Sequence, residues 1–201
     1  MNFKRVVLDL AVGLLLSAAS LSVAVASPAD HAANSGGPAS RDAVTWVYPV
    51  IPKFGAVHPR PDAAVQPDPG ADYKIFVDVV STPKDMGKTF PSLDRLARLV
   101  NLMGFAKVPA DHVHIVALLD EKAALAALDN AHYRKEFKRG NPNLEVLRAL
   151  RKAGVQLLIC SQALAGRGLK DSDIDPSVTV SLSALTDPVV YGHEGYTFMR
   201  L

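Results

Sequence analysis

The residue best suited to chemistry is Cys160, the single cysteine of the chain. It closes the apolar run Val155 to Cys160 (VQLLIC), and Ser161-Gln162-Ala163-Leu164-Ala165, a helix-forming stretch, follows at once. A thiol in that position stands at the carboxyl end of a strand, where ligands gather in open α/β sheets. Unpaired N–H groups at the start of the next helix favour the thiolate, which is the nucleophile. The same position also suits an inert core cysteine, because a free thiol packs as a small hydrophobe. The residues by themselves leave both readings open.

Other candidates carry less. His112 and His114 share one face of a predicted strand, a geometry open to a metal, but the sequence places no carboxylate or third imidazole beside them, and no metal site is expected. His132, in a charged segment, and His193-Glu194, near a helix end, read as solvated. Arg167-Gly168 follows the helix after Cys160, where the guanidinium either meets an anionic ligand or is simply exposed. Gly166-Arg167-Gly168 lies after a helix instead of between strand and helix, so it lacks the phosphate-binding context. No P-loop, G-x-S-x-G or G-x-G-x-x-G is present, and no cofactor is expected.

The elements that must position Cys160 alternate in type. Lys74 to Val80 (KIFVDVV) is a β-branched run of buried-strand character, and Pro91 opens a helix with Leu93, Leu96, Val100 and Met103 at helical spacing and Gly104 as its stop. A second strand is predicted over His112 to Leu119, then two short helices over Glu121 to Lys138, split near Asp129 and Asn130. The stripe of Ala123, Ala124, Ala126 and Ala127 suits close helix packing. Asn141-Pro142 reads as a cap and first-turn proline for a helix that presents Leu144, Leu147 and Leu150 and stops at Gly154. After the Cys160 strand come a fourth over Val178 to Leu182, a helical segment over Ser183 to His193 interrupted by Asp187-Pro188, and a fifth strand over Tyr196 to Met199. Continuously apolar strands alternating with helices predict a mainly parallel sheet covered on both faces, in an order the pattern does not specify.

The 201 residues, 49% of them hydrophobic, suffice for one core plus appendages. Residues 71–201 form the predicted α/β domain. Residues 27–70 are rich in Pro, Ala and Gly, and we read Ser27 to Asp42 as disordered and Ala43 to Pro69 as an extended arm. Proline at that density excludes central strands, yet Trp46, Tyr48, Val50, Ile51 and Phe54 must find a groove on the same domain or on a neighbour, which favours an oligomer. Residues 1–26 have the basic start (Lys4, Arg5), apolar core and Ala24-Val25-Ala26 end of a cleavable signal peptide. The expectation is therefore a periplasmic or otherwise exported protein with no membrane attachment after cleavage. With 22 Lys and Arg against 20 Asp and Glu, the chain has no charge signature of nucleic-acid binding.

Several separated motifs resemble the DsrE/DsrF-like family in the right order: Leu158-Ile159-Cys160-Ser161-Gln162-Ala163-Leu164-Ala165-Gly166-Arg167-Gly168, preceded by Asn141-Pro142-Asn143-Leu144 and Lys152-Ala153-Gly154-Val155 and followed by Ser181-Leu182-Ser183-Ala184-Leu185-Thr186. The arm, from Trp46-x-Tyr48-Pro49-x-Ile51 through Ala64-x-Gln66-Pro67, is similar to the exported branch of that family. The resemblance implies a three-layer α/β/α sandwich around a five-stranded parallel sheet, assembled as a homotrimer or homohexamer. It further implies a sulfur-relay role, in which Cys160 carries sulfane sulfur as a persulfide between donor and acceptor proteins. Ser161 and Gln162 would then donate hydrogen bonds to the charged sulfur, with Arg167 near the ligand. Such a protein is a carrier more than a turnover enzyme. The competing expectation is a non-catalytic oligomeric protein that binds a small ligand and whose Cys160 is incidental.

Overall fold

The β-branched apolar runs become the strands of one sheet, and the computed structural model describes it within residues 44–201. The signal-peptide reading of 1–26 and the disorder reading of 27–42 fall outside the described residues. In chain order the elements are β1 (Tyr73–Val79), α1 (Pro91–Phe105), β2 (Val113–Leu119), α2 (Asn130–Phe137), α3 (Leu144–Lys152), β3 (Gln156–Cys160), α4 (Ser161–Ala165), β4 (Thr179–Ser181), α5 (Asp187–His193) and β5 (Thr197–Arg200). All strand pairs are parallel, in the order β4-β3-β2-β1-β5.

That order decides how the two faces are covered. From β1 to β4 the chain steps in one direction, and right-handed crossovers put the intervening helices on one face. The passage from β4 to β5 returns across the sheet, so the same rule puts α5 on the opposite face. Side chains alternate accordingly. Ile75, Val77, Val79, Ile115, Ala117, Leu119, Leu157 and Ile159 join Leu93, Leu96 and Val100 of α1 and Leu147 and Leu150 of α3 in the large core. The other face buries only Phe76, Val116, Leu118, Leu158 and Cys160, against Tyr191 of α5, Tyr196 and Ala184. The architecture is thus a three-layer α/β/α sandwich with unequal outer layers.

The arm is more ordered than an extended strap. Val47 and Val57 pair across an antiparallel bridge, closing a loop that inserts Ile51 into the large core. Asn101 of α1 holds this loop: its Oδ1 accepts the Val50 and Ile51 N–H groups at 2.9 and 2.7 Å, and its Nδ2 donates to the Ile51, Phe54 and Gly55 carbonyls at 3.1, 2.9 and 3.0 Å. Flipping the amide would set donor against donor, so the network fixes its orientation. Gly55 (φ 65°) rests against the backbone of α1, where a Cβ would overlap Arg98 N. Gly104 does not stop α1; it lies inside the last turn, bare on the side where Val50 packs. The groove for Ile51 is therefore on its own domain, while Trp46, Tyr48 and Val50 remain exposed.

Three local predictions change. Asn141 is not the cap of α3. The helix begins at Leu144 after Asn143, while Asn141 Nδ2 donates to the Ala126 and Leu128 carbonyls and Asn143 Oδ1 accepts the Phe90 N–H at 2.8 Å. Buried amides that must satisfy distant backbone groups outrank a local capping role. The first helix predicted within Glu121–Lys138 is a 3-10 segment over Glu121–Ala127, with all four alanines fully buried. The segment after Ser183 is a turn, and α5 starts only at Asp187, with Pro188 in its first turn. In α2, buried Tyr133 donates its hydroxyl to the Met86 carbonyl at 2.6 Å, and burial pushes the phenol up to about 12.

Candidate functional site

Cys160 is the last residue of β3 and the residue before α4, with an extended backbone. Its register partner on β4 is Ser181, and it lies on the thinly covered face. Cys160 is buried, 3% exposed. Its Sγ accepts a hydrogen bond from the Ala184 N–H at 3.3 Å, a donor from the turn between β4 and α5.

Ser161 and Gln162 do not direct their side chains at the sulfur. Ser161 Oγ donates to the Leu182 carbonyl at 2.7 Å, and Gln162 Nε2 reaches the same oxygen at 3.3 Å and Ser161 Oγ at 3.2 Å. Both bind the turn that supplies the Ala184 N–H. On the far side of this turn Ser181 Oγ donates to Asp187 Oδ2. The site is therefore one thiol, one backbone donor and a polar clasp around them. Sequence reasoning did not single out Ala184 or the Leu182 carbonyl; the signal that could have found them was the Ser181 to Thr186 motif.

The family model for the DsrE/DsrF-like family matches residues 74–201. The chain belongs to the DsrE/DsrF-like family. The match covers the sheet, its helices and Cys160, and it begins after the arm. Two solved structures are similar to the chain: a protein of unknown function from Methanobacterium thermoautotrophicum, with 19% identity over 65% of this chain and 100% of that one at a TM-score of 0.44, and the ychN protein from E. coli, with 18% identity over 64% and 99% at a TM-score of 0.45. No curated protein matches.

Within the DsrE-like domain the remaining candidates lie apart from the thiol. Arg167 lines a groove of about 420 Å³ with His132, Lys135 and Phe137, and Cys160 is not part of its wall. His112 ends a 3-10 turn with Nδ1 4.0 Å from Asp72 Oδ1, while His114 is exposed on β2. Among the described residues no three His, Cys, Asp or Glu side chains are grouped to hold a metal ion. His132, read as solvated, is half-buried between two carboxylates, with Nδ1 2.9 Å from Asp129 Oδ1 and Nε2 3.2 Å from Asp173 Oδ1. The His132 N–H bonded to Asp129 and the Lys170 N–H bonded to Asp173 hold both carboxyls below the usual range.

Toward the opposite edge of the sheet, at the same carboxyl end, Arg200 Nε lies 3.4 Å from Asp78 Oδ2 and its Nη2 lies 2.6 Å from Glu121. Asp78 Oδ1 is buried without a partner, and burial raises the Asp78 carboxyl despite Arg200, helped by Asp120 and Glu121.

Proposed function

We propose that this protein is an exported sulfane-sulfur carrier in which Cys160 is the persulfide site. The observation that supports the reading most is the pairing of the chain's single cysteine, at the carboxyl end of a parallel strand, with a backbone N–H directed at its sulfur. Family membership supplies the class, sulfur relay. The Cys160 thiolate attacks the outer sulfur of a donor persulfide, forming Cys–S–S⁻ and expelling the donor thiolate. An acceptor thiolate then attacks the outer sulfur and restores the Cys160 thiolate. Each transfer exchanges one S–S bond for another, so no external oxidant or reductant is consumed.

Export is the second part of the proposal, and residues 1–26 support it through their basic start, apolar core and Ala-x-Ala end. N-terminal sequencing of material from the periplasm should begin at Ser27. Homo-oligomeric assembly is the third part. It is supported by exposed Leu182, Leu185, Val189, Val190 and Phe198, all belonging to the face that α5 covers thinly.

The decisive experiment exposes purified protein to polysulfide or thiosulfate and measures its intact mass. One added sulfur atom is expected on the wild type and none on Cys160→Ser. The 3% exposure of Cys160 favours a second reading, a ligand-binding oligomer with an inert core thiol. On that reading no sulfur is added, and Cys160→Ser melts lower because a hydroxyl replaces a packed thiol, at a cost of about 1–3 kcal/mol.

A further inference from the structure

A carrier thiol must be reached, and the turn over Cys160 is built as a separable piece. Leu182 to Thr186 folds around Ser183: the Leu185 N–H donates to Ser183 Oγ at 3.1 Å, and the Thr186 and Asp187 N–H groups donate to the Ser183 carbonyl at 3.1 and 3.0 Å. The turn thus carries its own internal hydrogen bonds and can move as a unit. Toward the cysteine it is tied by the Ala184 N–H to Sγ and by the Ser161 and Gln162 side chains to the Leu182 carbonyl. On the outside, Leu182 and Leu185 are 68% and 85% exposed, so swinging the turn away uncovers little additional apolar surface of its own.

We propose that Leu182 to Leu185 is a lid over Cys160, latched by Ser161 and Gln162, and that any group added to the sulfur opens it. Its purpose rests on the sulfur-carrier reading, while its geometry does not. A sulfane sulfur sits about 2 Å beyond Sγ. With the thiol 3% exposed and the Ala184 nitrogen 3.3 Å away, that atom must displace part of the cover. Ala184 of the lid packs on the cluster around Cys160, and the lid's other ties are hydrogen bonds instead of sheet pairing. Ser161 and Gln162 are then positioning residues, acting on the thiol through the lid. The loaded and empty carrier present different surfaces around Leu182 and Leu185, which lets a partner distinguish them.

The test uses the full chain and iodoacetamide as the probe of Cys160. Wild type should react slowly. Ser161→Ala should react faster by about three- to tenfold, the weight of one hydrogen bond in the opening equilibrium. The acceleration should be uniform across the pH profile and come with a melting point lower by only about 2–5 °C, Ser161→Thr should restore the slow rate, and Gln162→Ala should give a smaller acceleration. Hydrogen exchange at the Ala184 amide should rise once Cys160 is alkylated. Equal rates in wild type and both latch variants, acceleration that appears only as a displaced pH profile, or an Ala184 amide indifferent to alkylation would each overturn the lid. Latch effects in a protein that takes up no sulfur from polysulfide would keep the lid and remove the carrier; sulfur uptake without latch effects would do the reverse.

Discussion

The two faces of the sheet are covered to very different depths. One face packs against α1 and α3, and Ile51 of the arm is inserted into its core. The other has one seven-residue helix, α5, over five buried side chains, one of them Cys160. Each buried aliphatic or aromatic side chain contributes about 1.5–3 kcal/mol, so stability is concentrated on the first face. The second face is free to hold a reactive group, a movable turn and exposed apolar side chains. Three consecutive crossovers build the first face and a single return crossover builds the second; the division follows from chain topology.

The strongest way to break this comparison is Asn101→Ala on the heavily covered face. It removes five hydrogen bonds and leaves the Ile51 backbone without partners, so we expect a loss of about 3 kcal/mol, read as a melting point roughly 6–12 °C lower. A near-neutral result would mean that the arm contributes no stability and that the faces differ less than their burial suggests.

On the thin face, Leu185→Asp should change the stability of the monomer by no more than about 0.5 kcal/mol, because the side chain is 85% exposed. It should nevertheless lower the sedimentation coefficient if the face joins copies of the chain. Unchanged sedimentation of a wild-type oligomer would move the interface elsewhere.

The smallest effect is a difference in sign with pH. Asp129 and Asp173 have folded pKa values below their unfolded ones, so their contribution is present above about pH 4 and is lost as pH falls through the folded values. Asp78 has a raised folded value and binds its proton more tightly in the folded chain. Its contribution favours folding at low pH and declines as pH rises from about 4 through that raised value. Melting curves from pH 3 to 7 should therefore steepen on the acid side in Asp78→Asn and flatten in Asp129→Asn. Parallel curves for the two variants would show that these carboxyls experience the same environment.

The strands were legible because KIFVDVV, HVHIVALL and VQLLIC are apolar runs, whereas the helix expected from Ser183 begins only at Asp187, where Asp187-Pro188 interrupts the pattern. Cys160 was legible as the candidate nucleophile from strand, helix and motif, but its cover was not. The bond from Ser161 to the Leu182 carbonyl joins segments on either side of β4, and no local pattern reports it. What anchors the arm was hidden for a similar reason. Asn101 looks like an ordinary polar helix position, and only the folded loop of Val50 to Gly55 reveals five partners for it. Asn141 was assigned the nearest role, helix capping, when the carbonyls it satisfies belong to the segment before α2. In each miss, a polar side chain serves backbone groups far away in sequence.

The return crossover has a kinetic side as well. β5 pairs with β1 through Ile75 and Thr197, residues about 120 apart, whereas the other strand pairs join neighbours in the chain. Closing so long a loop is entropically the costliest step, and contacts of that range form late in folding. The sheet from β1 to β4 can assemble while the last residues are still emerging from a ribosome, with Cys160 less covered until α5 and β5 arrive. Newly made chains thus pass through a stage in which the thiol is open, and refolding followed by pulsed alkylation should find Cys160 among the last positions to become protected.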